Sequence, residues 1–243
     1  MRPAGSLTRH RTPSGLRKGT GYNLGAFQGD LNAQGTGYLR AVYTDDEVAA
    51  GGSKISLVQS VGLSPTYPGL GAALPAPINV PGDAYDNPHI ENVGGIWVLF
   101  FDSETLTGSE PGRNVFNSTS TDNGASWSTP ADVTSVNDTG TTGLAGPAQQ
   151  PHLYHDGSDW WLYFTAPNPG DGKLGIYRAG QKTPGDWDSF DPPTLVVSAG
   201  TTQGIGEPSV TADGDVSFVA ITLNPSGTAL DQYDADPWFL PYK

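Results

Sequence analysis

Short apolar runs bounded by Gly, Asn, Asp and Pro recur four times along the chain, and their alignment predicts its architecture. Each repeat opens on a short strand: Gln28-Gly29-Asp30-Leu31, Asn87-Pro88-His89-Ile90, Gln150-Pro151-His152-Leu153 and Glu207-Pro208-Ser209-Val210. Second strands rich in aromatic and β-branched residues follow at 37–43, 95–101, 160–164 and 216–221. Third strands are expected at 54–60, 114–118 and 174–178, and 235–241 ends the fourth repeat with a third strand and no fourth. The steps from Gly29 to Pro88, Pro151 and Pro208 are 59, 63 and 57 residues. Units of this kind predict an all-β chain built as a β-propeller with four recognisable blade repeats, in a four- or five-bladed ring. The second strands are apolar on both faces, as blades sandwiched between neighbours require.

Composition narrows this reading. A chain of 243 residues fits one large all-β domain or two small ones. Gly (33) and Pro (21) supply turns, while six Trp, ten Tyr and eight Phe supply a core that a disordered chain would lack. Residues 1–22 read as a basic tail or as the ring-closing outer strand, with Leu7–Arg11 as its candidate, and residues 23–243 as a single propeller domain. The three prolines at the start of the repeats read as strand-entry residues.

Charge then limits the partners. The net charge is −13, and the charged side chains of residues 1–18 are all basic: Arg2, Arg9, Arg11, Arg17 and Lys18. Without those five, 7 basic residues stand against 25 acidic ones, a net of −18. Such a surface repels nucleic acid and anionic membranes, so neither is expected as a partner, and a monomer is. With no cysteine, disulfides and thiolate metal sites are excluded. No run of about 18 apolar residues predicts a membrane span, and the first twenty residues lack a signal peptide's apolar region.

One turn is specified residue by residue. In Ser120-Thr121-Asp122-Asn123-Gly124-Ala125-Ser126-Trp127, Asx side chains bond their own backbone and Gly supplies positive φ, which predicts a tight hairpin. The spacing resembles the Asp-box of sialidase-type and related β-propellers, and Lys182-Thr183-Pro184-Gly185-Asp186-Trp187 resembles a degraded copy. A surface hairpin that only closes a blade is the competing reading. A sialidase needs three arginines around its substrate. Only Arg40, Arg113 and Arg178 follow the tail, and the last two read as outer-strand residues, so that activity is not expected.

Candidate chemistry lies on the innermost strands, which line a propeller's channel. Alternation puts Leu31, Ile90, Leu153 and Val210 on one face. Gln28, Asp30, Asn87, His89, Gln150, His152, Glu207 and Ser209 fall on the other, as a polar ring. Short propellers with an acidic residue beside Pro at the blade start resemble the five-bladed glycosidases of the arabinanase, xylosidase and invertase type. That resemblance implies a carbohydrate-active protein, extracellular or periplasmic, acting on an oligo- or polysaccharide. It also implies three channel carboxylates: Glu207 as general acid, Asp30 as base and Asp86 as the third, which tunes and orients the acid. Glu207 is expected to be buried enough to raise its pKa. Hydrogen bonding to blade backbone is the competing role for Glu207, and an Asx turn or inter-blade bond for Asp30.

His89 and His152 hold equivalent positions and are expected to approach each other. With Gln150 they would bind sugar hydroxyls, or with Asp30 and Glu207 a metal; water and main chain could equally satisfy them. No cofactor is required on this reading, and a structural divalent cation in the channel is its one addition. Gln149 and Gln150, where an acid would be welcome, leave open a non-catalytic glycan- or protein-binding module.

Overall fold

The repeats fold as four antiparallel sheets, each a meander in which strands adjacent in sequence are adjacent in space. The structure, a computed structural model, describes residues 22–31, 37–45, 54–59, 72–80, 83–200, 204–211, 213–223 and 233–240. The first sheet holds β1 (Tyr22–Leu31), β2 (Gly37–Asp45), β3 (Lys54–Gln59) and β4 (Ala72–Ala73). The second holds β5 (Asp86–Val93), β6 (Ile96–Ser103), β7 (Asn114–Ser120) and β8 (Ala131–Asp132). The third holds β9 (Gln149–His155), β10 (Trp160–Pro167), β11 (Leu174–Gly180) and β12 (Thr194–Val197). The fourth holds β13 (Gly204–Val210), β14 (Val216–Leu223) and β15 (Tyr233–Leu240). The proposed ring-closing segment Leu7–Arg11 lies outside the described residues.

Burial follows the alternation of the second strands. On β6, Val98 and Phe100 pack with Leu153, Leu162 and Phe164 of the third blade. Trp97, Leu99 and Phe101 of the same strand pack with Val42 and Ile55 of the first. Tyr163 and Ile176 of the third blade meet Ile205, Val216 and Ala220 of the fourth. The core is therefore a series of layers between blades, each worth roughly 25 cal/mol per Å² of apolar surface removed from water.

The short outer strands β4 and β8 are not legible as apolar runs, because side chains complete their work. Asn79 accepts from the Ile55 N–H at 2.8 Å and donates to the Ile55 carbonyl at 2.7 Å. Asn137 does the same to Val115 at 3.0 and 2.8 Å. Both amides imitate a neighbouring strand's backbone: each gives the N–H an acceptor and adds a donor to a carbonyl that also accepts from Leu74 or Val133.

Every innermost strand carries a one-residue bulge, and the bulges share a register. On β5, Asp86 opposes Asp102 but His89 opposes Phe100. On β9, Gln149 opposes Thr165 and His152 opposes Tyr163, and on β13, Gly206 opposes Val219 and Ser209 opposes Ser217. Asn87-Pro88, Gln150-Pro151 and Glu207-Pro208 fill the three bulges. The prolines thus sit inside the strands rather than at their first residues, at positions where a missing N–H disrupts no ladder bond.

The first blade corrects the repeat alignment. Its register break falls between Leu24 and Phe27, so Gly25-Ala26 fills its bulge. Asp30 pairs with Tyr38, the position held in the second blade by Asn92 opposite Trp97. The alignment keyed on Gly29 is three residues out of step, because this bulge has no Pro to mark it.

Candidate functional site

The bulges bring three unusual backbones together at one end of the inner strands. Asn87, Gln150 and Glu207 have φ of 48°, 55° and 55°. Left-handed conformations at non-Gly residues cost on the order of 1–3 kcal/mol each and cluster at functional sites. Each also precedes a proline, which normally favours an extended residue. Something must hold these conformations in place.

Asp102 supplies part of the hold. It lies on the face of β6 that looks toward the third blade, and its side chain is fully buried. One oxygen accepts from the backbone N–H of Gln150 at 2.7 Å and from the Asn87 side-chain amide at 2.9 Å. The other accepts from Arg113 Nη1 at 2.8 Å. Burial pushes this carboxyl up to about 6, against the pull of Arg113, Gln150 and Asn87, so it is ionised at neutral pH.

Arg113 also contacts Asp86, Nη1 to carboxylate at 2.7 Å, and its Nη2 lies 3.8 Å from Glu104. Arg113, expected on an outer strand, stands immediately before the third strand β7, and its side chain reaches the bulge end. Burial opposes its charge, and the Asp102 and Asp86 carboxylates outweigh that effect and raise its pKa. Asp86 is accordingly an ion-paired, half-buried carboxylate.

Gln150 passes the hold to the next blade. Its side-chain carbonyl accepts from the backbone N–H of Glu207 at 3.0 Å. Gly206 makes room for that contact: a Cβ there would stand 2.6 Å from Gln150 Oε1. Glu207 itself is exposed, contrary to the expectation of a buried acid.

A second tier lies deeper. His89 hydrogen-bonds the backbone of Leu153, and one blade on, His152 Nε2 accepts from the Val210 N–H at 3.1 Å. Their rings are 4.1 Å apart, centroid to centroid. His89 Nε2 is buried with no hydrogen-bond partner among the described residues, 3.6 Å from Glu91 Oε1. Burial holds His89 down at about 3 and His152 well below its usual value, with the neighbouring His89 lowering it further. Burial pushes Glu91 up to about 7. Both imidazoles are therefore neutral near pH 7.

The structure brings together Asp86, Asn87, Gln150 and Glu207 through hydrogen bonds, and His89 and His152 through ring contact. It does not bring Asp30 to a bulge, and the Asp30 side chain lies outside the described residues. Among the described residues no three His, Cys, Asp or Glu side chains converge as a metal site. His155 ends β9, is exposed, and its ring lies 4.6 Å from that of Trp160, tilted by 38°. Sequence reading missed Asp102 and Arg113. The available signal was a lone carboxylate ending the apolar run Leu99-Phe100-Phe101, where the third blade has Thr165 and the fourth Val219.

The turn at 120–127 folds by its own side chains. Asp122 Oδ1 accepts from Ser120 Oγ and the Ser126 N–H, both at 2.8 Å, and Ser120 Oγ accepts from the Gly124 N–H at 2.8 Å. Hydrogen bonds from Ser126 hold the Asp122 carboxyl down at about 2. The turn ends β7, a third strand of its sheet, away from the bulges.

Four such sheets define a β-propeller. The solved structures it resembles include propeller glycoside hydrolases, with the likeness residing in the fold. A family 117 glycoside hydrolase from the marine bacterium Zobellia galactanivorans matches with TM-score 0.53 and 15% identity, over 93% of this chain and 70% of that one. The endo-arabinase from Bacteroides thetaiotaomicron matches with TM-score 0.53 and 14% identity, over 87% and 72%. An N-acetylgalactosamine deacetylase from F. plautii matches with TM-score 0.55 and 15% identity, over 92% and 73%. No protein-family model and no curated protein matches the sequence.

Proposed function

We propose that this propeller acts on carbohydrate as a glycoside hydrolase, with Glu207 as its general acid. The observation that carries the reading is the exposed Glu207 on a left-handed bulge, its N–H gripped by Gln150. A carboxyl so placed can meet a glycosidic oxygen while its backbone is fixed, and general acid catalysis requires such positioning. Hydrolysis needs a second carboxylate in a different environment. Asp86 stands on the preceding side of the same hydrogen-bonded chain, 2.7 Å from Arg113 Nη1, and is the better placed partner; Asp30 would have to reach in from the hairpin end of β1. His89, His152 and Gln150 hold the backbone of the neighbouring blades through their hydrogen bonds and frame the site. The turn at 120–127 is read as an Asp-box in a structural role, and the protein as secreted and monomeric.

The deacetylase among the similar structures shows one fold hosting more than one reaction on sugars. A second reading, glycan binding without turnover, is favoured by Gln149 standing where the second blade has Asp86. The two separate on one comparison: the hydrolase reading expects Glu207→Gln to keep glycan affinity and lose turnover, and the binding reading expects no turnover in either protein.

A further inference from the structure

We infer that Asp102 and Gln150 are positioning residues that set the Glu207 backbone from two blades and one blade away. Asp102, on the second blade, fixes the bulge at Gln150 by accepting its N–H at 2.7 Å. Gln150, so fixed, turns its side chain across to the fourth blade and accepts the Glu207 N–H at 3.0 Å. Three features show that this line is built in rather than incidental. Asp102 is fully buried, so its charge is retained at a cost that only good partners offset. Gly206 is the residue whose missing side chain leaves room for Gln150 Oε1. Both acceptors meet N–H groups in left-handed conformations, which need an external hold.

The role of this line in turnover rests on the reading of Glu207 as the acid; the contact itself does not. Two readouts keep them apart. Amide hydrogen exchange at Glu207 reports the hold directly, and the kcat and KM of a cleaved glycan report its catalytic use. Gln150→Met keeps length and removes the acceptor, Gln150→Glu keeps an acceptor oxygen, and Gly206→Ala drives the side chain away from the other end. The expected result is Glu207 exchange about tenfold or more faster in Gln150→Met and Gly206→Ala, with the amides of Leu99 and Leu162 unchanged. On a cleaved glycan kcat falls about tenfold or more with KM within about threefold, and Gln150→Glu recovers much of the loss. Asp102→Asn is expected to quicken exchange at both Gln150 and Glu207. Unchanged Glu207 exchange in Gln150→Met overturns the inference, as does quickened exchange with kcat intact. If wild type cleaves nothing, quickened exchange together with weakened glycan binding supports the inference, while the hydrolase reading fails.

Discussion

Nε2 of His89 stands 3.6 Å from Oε1 of Glu91, two residues further along the same strand, and among the described residues that nitrogen has no hydrogen-bond partner. The two groups, with His152 beside them, are shifted in opposite directions by one cause, burial. Their effects on stability therefore have opposite signs with pH.

For Glu91 the folded pKa of about 7 lies above its ordinary 4.5, so its contribution is full below 4.5 and is lost as pH rises through 7. Glu91→Gln removes that loss. The variant is expected to gain on wild type as pH rises from 4.5 to 8, reaching roughly 2–3 kcal/mol, with no difference in acid. Urea unfolding across that range checks this. For the histidines the sign reverses: depressed folded pKa values give stability that is present above 6.5 and lost as pH falls toward 3. His89→Gln should flatten the acid limb.

Arg113 is the only cation contacting the buried Asp102 among the described side chains. Arg113→Met is expected to cost about 3–5 kcal/mol at pH 8, because it leaves a buried charge unpaired. Loss of Arg113 raises the Asp102 pKa above 6, so the cost should shrink as pH falls from 8 toward 6 and stay level below it, where both proteins hold Asp102 protonated. Adding Asp102→Asn should recover part of the loss, and a double-mutant cycle by denaturant unfolding measures the coupling.

Phe100 is fully buried between the second and third blades, edge-on to Trp187 at 6.4 Å and to Phe190 at 6.2 Å. Phe100→Ala is expected to cost about 3–5 kcal/mol, through the lost transfer energy and the cavity it leaves. A calorimetric scan checks this.

The turn at 120–127 is a self-contained device and should be separable from activity. Asp122→Ala removes the acceptor of the Ser120 and Ser126 bonds and is expected to lower Tm while leaving turnover unchanged. A fall in kcat at intact fold would instead place this hairpin in the site.

The blade plan was legible because aromatic second strands and Pro-marked bulges repeat at nearly constant spacing. The turn was legible because Asp122, Asn123 and Gly124 act on their own backbone. Register in the first blade was not, since Gly25-Ala26 makes its bulge without a proline and alternation says nothing across a bulge. Asp102 was hidden for a different reason: it ends an apolar strand, and its partner Gln150 lies 48 residues on. Arg113 likewise precedes a third strand in sequence and gains its meaning only from the reach of its side chain back to Asp86. Side-chain contacts between blades depend on the ring, which no local pattern encodes.

The measurement that tests the central claim most directly is product release from a mixed panel of plant, algal and bacterial polysaccharides, comparing wild type with Glu207→Gln by chromatography. The expected result is oligosaccharide or sugar products from wild type that fall by about 10²–10⁴ in rate in the variant, the usual size of a lost general acid. Products formed equally by both proteins, or by neither, would contradict it.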